Sequence, residues 1–145
     1  VLPNIVIHEL VSRDEIRLRL VGTGVAADHR REIQGTNYLD FTAPARRHLV
    51  SDAIHLLCAH PCGVVTGLNA VTRSGRMLYR KTLGLPMRDD CGVANLVYYC
   101  SRPSTDRDYF EDTSDPIESI RAIDRYFVDI GAGIPEFDDR DDIPD

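Results

Sequence analysis

The stretch "EIRLRLVGTGVAA", residues 15 to 27, decides between two folds. Ile16, Leu18 and Leu20 alternate with Arg17 and Arg19, the pattern of a strand dry on one face and wet on the other. Gly22-Thr23-Gly24-Val25-Ala26-Ala27 then completes a G-x-G-x-x-A match, the turn on which dinucleotide-binding folds rest a pyrophosphate. That chemistry needs a first strand covered on both faces, a full crossover helix, and a second parallel strand ending near an acid. None of the three is present. A helix starting at Val25 runs into Asp28-His29-Arg30-Arg31-Glu32 and soon meets Gly35 and Asn37. Asp40 lies in Tyr38-Leu39-Asp40-Phe41-Thr42-Ala43-Pro44, where Pro44 leaves too few strand residues before it. Gly22 and Gly24 are therefore assigned a backbone task, letting the chain leave its strand and turn back across the sheet at low steric cost.

Working outward, "NIVIHELV" before this strand reads as another strand. Residues 25 to 43 form a broken helical stretch, followed by a longer helix from Pro44 to His60. Its apolar residues Leu49, Val50, Ala53, Ile54, Leu57 and Cys58 recur at helical spacing, Thr42 is placed to cap it, and Pro61 ends it. "CGVVTGLNAVT", "RMLYRKTLGLPM" and "GVANLVYYCS" follow as three strands joined by short glycine-bearing loops suited to hairpins. In the second of these, Met77, Tyr79, Leu83, Leu85 and Met87 share one parity and Arg80, Thr82 and Gly84 the other, so the first set is assigned to the core. Strands that come in consecutive groups imply an α+β fold, here an antiparallel five-stranded sheet with helices packed on one face. Asp115-Pro116-Ile117-Glu118 reads as a capped helix start with Pro at its first position, so a helix is predicted from 116 to about 124, while "RYFVDI" suits helix and strand equally.

Composition bounds the function. The 145 residues, 43% of them apolar, suit one domain that buries its own core. The net charge is −6, and the last ten residues, "EFDDRDDIPD", hold six acids and one arginine, which leaves the body close to neutral. Residues 1–135 are read as the domain and 136–145 as an acidic, solvated and disordered tail. A near-neutral body argues against nucleic-acid binding, and no apolar run is long enough to span a membrane. With no secretory signal pattern, a soluble cytoplasmic protein is expected; because the chain begins at Val1 and not at Met, a longer parent or a processed end is expected. Cys58, Cys62, Cys91 and Cys100 lack metal-site spacing and are read as free, mostly buried thiols in a reducing compartment. His48, Asp52 and His55 share the polar face of the longer helix, but no fourth ligand is near and no metal is assigned. No Ser/His/Asp set, carboxylate pair or phosphate loop supports an enzyme.

The element order resembles the PAS domain, and more closely a bacterial group of short single-domain PAS-like proteins. The residues that carry the resemblance are "LPNIVIHEL", "RLRLVGTG", the Gly35 after "REIQG", and "RYFVDIGAGIP", and together they span most of residues 2 to 137. In that group a helical stretch usually precedes the "LPN" segment. The resemblance implies a sensory or regulatory module that binds a small ligand or a partner domain and passes on a conformational change. It implies no bound chromophore here. The reactive-cysteine motif Asn-Cys-Arg-Phe-Leu-Gln of photoactive flavin members is absent, Cys58 stands on a different element, and the angles of His48 and His55 point them away from the core, against haem. No cofactor is assigned.

Two functions follow. As a sensor, the protein would hold an unknown small molecule between the dry sheet face and the helix stripe, with Leu18, Leu20, Leu49, Ala53, Leu57, Tyr79, Leu83, Leu85, Val97 and Tyr99 as candidate lining. Thr66, Asn69, Thr82 and Asn95 are polar candidates for orienting it, and Arg46 is able to pair with an acidic ligand or to extend to solvent. As a ligand-free interaction module, it would dimerise or dock on a signalling partner through the other sheet face, where Arg17, Arg19 and Arg80 are expected.

Overall fold

Six strands, β1 (Ile5–Ser12), β2 (Glu15–Val21), β3 (Gly63–Thr72), β4 (Met77–Arg88), β5 (Ala94–Ser101) and β6 (Ile117–Val128), form one sheet in the computed structural model, which describes residues 2–102 and 115–138. Their order is β2-β1-β5-β4-β3-β6, and every neighbouring pair is antiparallel. Helices α1 (Thr23–His29) and α2 (Arg47–Ala59), with short helical turns at Tyr38–Phe41 and Pro44–Arg46, cover one face. The α+β architecture expected from the sequence is present with six strands where five were expected.

The sixth strand replaces the helix predicted at 116–124. Its residues Ile117, Ile120, Ala122, Arg125 and Phe127 pair with Thr72, Ala70, Leu68, Thr66 and Val64, alternate positions on one face of β3. The register slips between Val71 and Thr72 and again between Gly67 and Leu68, so β6 carries an extra residue at each slip. Two bulges stretch the spacing of inward residues from two to an alternation of two and three, which imitates a helical period. Asp115 is no helix cap: it accepts hydrogen bonds from the Thr72 hydroxyl at 2.9 Å, the Ser74 hydroxyl at 2.7 Å and the Ser74 amide at 2.9 Å, tying β6 to the β3–β4 turn.

The glycines after β2 work by close approach rather than by unusual dihedrals. Gly22 is extended, with φ −65° and ψ 153°, and its amide donates to the Ile5 carbonyl at 2.7 Å. A Cβ on Gly24 would stand 2.9 Å from the Pro3 carbonyl oxygen, so only glycine lets α1 pack on the Leu2–Asn4 turn. The chain turns here because α1 seats against the start of β1, and no phosphate cradle is involved. Thr42 does not cap α2 by its side chain; it is buried, and Arg46 holds the position before the helix.

β4 inverts the face assignment made from its parity. Leu78, Arg80, Thr82 and Gly84 are buried, whereas Met77 is 62%, Tyr79 53%, Leu83 42% and Met87 39% exposed. Leu20 also moves out. Ile7 pairs with Leu20 but His8 with Leu18, so Arg19 is an extra residue, and the bulge sends Leu18 inward and Leu20 outward. Arg17 and Arg19 stay on the outer face, where Arg17 pairs with Glu9 and Glu15 and Arg19 lies 3.6 Å from Glu9.

The core forms three clusters. One holds Ile16, Leu39, Ile54, Leu57, Cys62, Val64 and Val97; a second Val6, Leu18, Val25, Ile33 and Phe41; a third Ala70, Leu78 and Ile117. The four cysteines are free, and of thiols expected to be mostly buried Cys62 is buried, Cys58 and Cys100 are half-buried, and Cys91, on the β4–β5 loop, is exposed. Phe137, assigned to the tail from the sequence, stacks edge-on to Phe127 with ring centres 6.3 Å apart. The remaining tail, residues 139–145, lies outside the described residues. No helix among the described residues is long and apolar enough to cross a membrane.

Candidate functional site

Between the inner sheet face and the helices lies a cavity of about 270 Å³, lined by members of all three core clusters. Its roof comes from helices and turns. Val25 and His29 face it from α1, Phe41 and Thr42 from the following turn, and Val50, Ala53, Ile54 and Leu57 from α2. The 3.6-residue period of α2 brings Val50, Ala53, Ile54 and Leu57 to one side, and Ala53, the smallest of them, leaves room beneath it.

The floor is built from strand register. Ser101 pairs with Thr82, Thr82 with Thr66, and Thr66 with Arg125, so one polar row crosses β5, β4, β3 and β6. Thr66 and Thr82 are only 7% and 6% exposed. The next row on one side is apolar: Val6 pairs with Tyr99, Tyr99 with Gly84, Gly84 with Val64 and Val64 with Phe127. A Cβ on Gly84 would stand 2.6 Å from a Tyr99 ring carbon, so the glycine lets the tyrosine ring lie over β4. On the other side of the polar row, Leu68 separates Arg80 from Ala122.

Arg80 forms a buried ion pair with Asp28 of α1, their side chains 9% and 5% exposed. Removing two charges from water is costly, and the pair persists because each neutralises the other. It fastens α1 to the centre of the sheet. His8 and His29, also buried in the lining, have Nδ1 atoms without a hydrogen-bond partner. Burial lowers the His8 pKa to about 3, and burial with the Arg31 charge lowers that of His29 to about 4, so both imidazoles are neutral at pH 7. His8 stacks between Tyr38 and Tyr99, with ring centres 4.5 and 4.7 Å away. Burial also raises the Tyr99 phenol pKa, leaving it protonated.

Among the ten lining residues expected from the sequence, the structure brings Leu18, Ala53, Leu57 and Tyr99 together around the cavity. Leu20, Tyr79 and Leu83 are exposed on the opposite face, and Leu85, of the same parity, is half-buried there. Val97 is fully buried in the first core cluster, and Leu49 is half-buried on α2 outside the lining. Thr66, Thr82 and Arg46 line the cavity, whereas Asn69 lies on the outer parity of β3 and Asn95 donates to Asp89 at 3.1 Å. Asp52, from the supposed metal face, pairs with Arg13 at 2.8 Å, and the His55 ring lies 2.9 Å from the Ser51 carbonyl oxygen. Cys58 donates to the Leu96 carbonyl at 3.4 Å. The residues missed are Arg80, Arg125, His8 and His29. The available signal was the parity of β4 itself, which sets an arginine, a threonine and a glycine together opposite a set that is apolar except for Lys81.

A PAS domain family model matches residues 1–98. Among solved structures, a light-oxygen-voltage domain studied with a flavin analogue aligns at TM-score 0.51 and 16% identity, over 75% of this chain and 82% of its own. The light state of the blue-light photoreceptor Aureochrome1 LOV aligns at 0.51 and 16%, over 77% and 88%. An RNA-binding light-oxygen-voltage receptor gives 0.51 and 16%, over 75% of this chain and 31% of its own. No curated protein matches the chain. At such identities the structural likeness establishes the fold alone.

Proposed function

The chain belongs to the PAS domain family, and on that premise we propose that it is a sensory module holding a small molecule in the cavity and passing on its occupancy as a conformational change. The observation that carries this reading is the interruption of the core. A chain of this size would gain stability by filling the space beneath Ala53, since interiors pack densely and voids cost free energy. Here three core clusters instead surround about 270 Å³ with apolar walls and a polar floor, the composition of small-molecule sites. The Arg80–Asp28 pair gives occupancy a route outward, because it links the floor to α1.

Native mass spectrometry of the protein purified from its own host tests this. The expected result is a mass excess that disappears on denaturation, with no flavin or Soret band in the absorption spectrum. A bare polypeptide mass under gentle conditions contradicts the sensor reading.

The outer sheet face favours a second reading, docking. Met77, Tyr79, Leu83 and Met87 of β4 and Tyr126 of β6 are exposed there, and Arg80, expected on that face, is inside. Exposed apolar side chains gathered on one sheet face are a mark of interaction sites where they join into a patch. Sedimentation over a range of concentrations, with Leu83→Glu as the control, distinguishes self-association from a monomer.

A further inference from the structure

One wall of the cavity is aromatic. Tyr99 of β5, His8 of β1, Tyr38 and Phe41 of the turn before α2, and His29 of α1 all line it. Consecutive rings are neighbours, with centres 4.7 Å apart from Tyr99 to His8, 4.5 Å from His8 to Tyr38, 6.4 Å from Tyr38 to Phe41 and 5.0 Å from Phe41 to His29. Aromatic rings attract one another at such separations, and a run of them offers the same contact to a further ring laid against it. An apolar cavity of about 150 Å³ takes one benzene ring. At about 270 Å³ this one takes one ring or two fused rings, short of the three of a flavin.

Two polar atoms interrupt this wall. His8 and His29 are 5% and 6% exposed, and the Nδ1 atom of each is shielded from solvent with no hydrogen-bond partner among the described residues. A buried polar atom left unpaired is costly, so each Nδ1 marks a place where an occupant of the cavity completes a hydrogen bond. The imidazole sets what completes it. Burial keeps both rings uncharged at pH 7, and a nitrogen of a neutral imidazole is a donor or an acceptor according to the tautomer. A hydroxyl serves either case, because it both donates and accepts and rotates to suit. His8 is the firmer anchor: Tyr38 and Tyr99 pack against its ring and hold its edge in place.

We infer that the cavity is a site for a small hydroxylated aromatic molecule of one or two rings, its ring laid against the aromatic wall and its hydroxyl bonded to His8 Nδ1. The inference rests on the sensor reading and adds the ligand class and the residue that selects it. His29 presents a second such atom from α1, suited to a further polar group on the occupant.

Equilibrium dialysis of the full chain at pH 7.5 with a matched pair of probes, 2-naphthol and 2-methylnaphthalene, tests it. A purely apolar cavity favours the methyl compound, whose transfer out of water is the more favourable, so the sign of the preference is the readout. The parent should bind 2-naphthol at least about fivefold tighter than 2-methylnaphthalene, the size of one neutral hydrogen bond. His8→Phe keeps a ring in the wall and removes the nitrogen, so it should bind 2-methylnaphthalene the tighter; retained binding of that probe shows that the variant folds. His8→Asn, whose amide stands close to where Nδ1 stood, should keep the naphthol preference. A parent that favours 2-methylnaphthalene, or a naphthol preference that survives His8→Phe, would overturn the inference; loss of that binding in Ala53→Trp would leave the cavity reading standing. Binding undiminished by Ala53→Trp places the probes outside the cavity and overturns the inference, as does no binding of either probe by the parent; native mass spectrometry then judges the sensor reading by itself.

Discussion

On the inner face of the sheet the row Ser101, Thr82, Thr66, Arg125 is polar, with its two threonines buried and its ends half-buried, and one position along each strand the outer row Cys100, Leu83, Val65, Tyr126 is largely apolar, with Leu83 42% and Tyr126 55% exposed. Along this one row the usual relation between burial and polarity is reversed. Where an interior is filled, apolar residues face it because they lose nothing by leaving water. Where it encloses a cavity, its floor needs small residues to leave space and polar residues to interact with an occupant. The outer face then holds the larger apolar side chains, which is tolerable only if something covers them or their isolation from one another limits association.

The largest effect should come from the inner face. Arg80→Leu leaves Asp28 buried without its counter-charge, and breaking such a pair typically costs about 3 to 5 kcal/mol. Urea denaturation of Arg80→Leu and of the double variant Arg80→Leu/Asp28→Leu should show the second recovering most of the loss. A single-variant loss under about 1 kcal/mol, the scale of a surface pair, would mean that the inner face tolerates charge as the outer one does.

Acid should destabilise the protein through the same face. His8 and His29 have folded-state pKa values of about 3 and about 4 against 6.5 when unfolded. Between these limits the unfolded chain binds more protons, so stability present above pH 6.5 is lost as pH falls, by up to about 1.4 kcal/mol per pH unit for each histidine until its folded pKa is reached. His8→Phe should flatten the pH dependence of the melting temperature between pH 6.5 and 4. An unchanged slope contradicts the burial of a neutral imidazole.

Gly84→Ala sets a methyl against the Tyr99 ring, 2.6 Å from a ring carbon before adjustment, and overpacking of this kind costs about 1 to 3 kcal/mol. The tyrosine must shift toward the cavity, so any retained molecule should be lost with it. The smallest effect belongs to the outer face: Tyr79→Ser should alter monomer stability by no more than about 0.5 kcal/mol, visible only as reduced self-association if that face docks. A larger loss would show that the outer apolar row supports the fold.

These contrasts also explain what the sequence disclosed. The alternation of β2 and the run of β3, β4 and β5 declared an antiparallel α+β sheet because period-two patterning reports strand identity whichever face is buried. It did not report which face. For β4 the apolar set Met77, Tyr79, Leu83, Leu85, Met87 is assigned inward because the apolar parity is taken as the buried one, whereas the parity that faces the cavity carries Arg80 and Thr82. Leu20 went wrong by one bulged residue, Arg19, and β6 by two, because register depends on a partner strand that the local sequence does not contain. Ala53 and Leu57 were legible since a helix stripe has one apolar side and α2 has one sheet to cover. The Arg80–Asp28 pair was hidden because its members are 52 residues apart and each alone reads as solvated surface.

The most direct test of the central claim, that open space beneath α2 holds a molecule over a polar floor, is the melting temperature of Ala53→Trp measured beside its native mass. Ala53 is 4% exposed and lines the cavity. The predicted result is a melting temperature within about 4 °C of the parent, roughly 1 kcal/mol for a domain near this size, together with loss of the small-molecule mass excess. A variant destabilised by about 1 to 3 kcal/mol or more, as overpacking of a filled core produces, from a parent that carries no mass excess would contradict it.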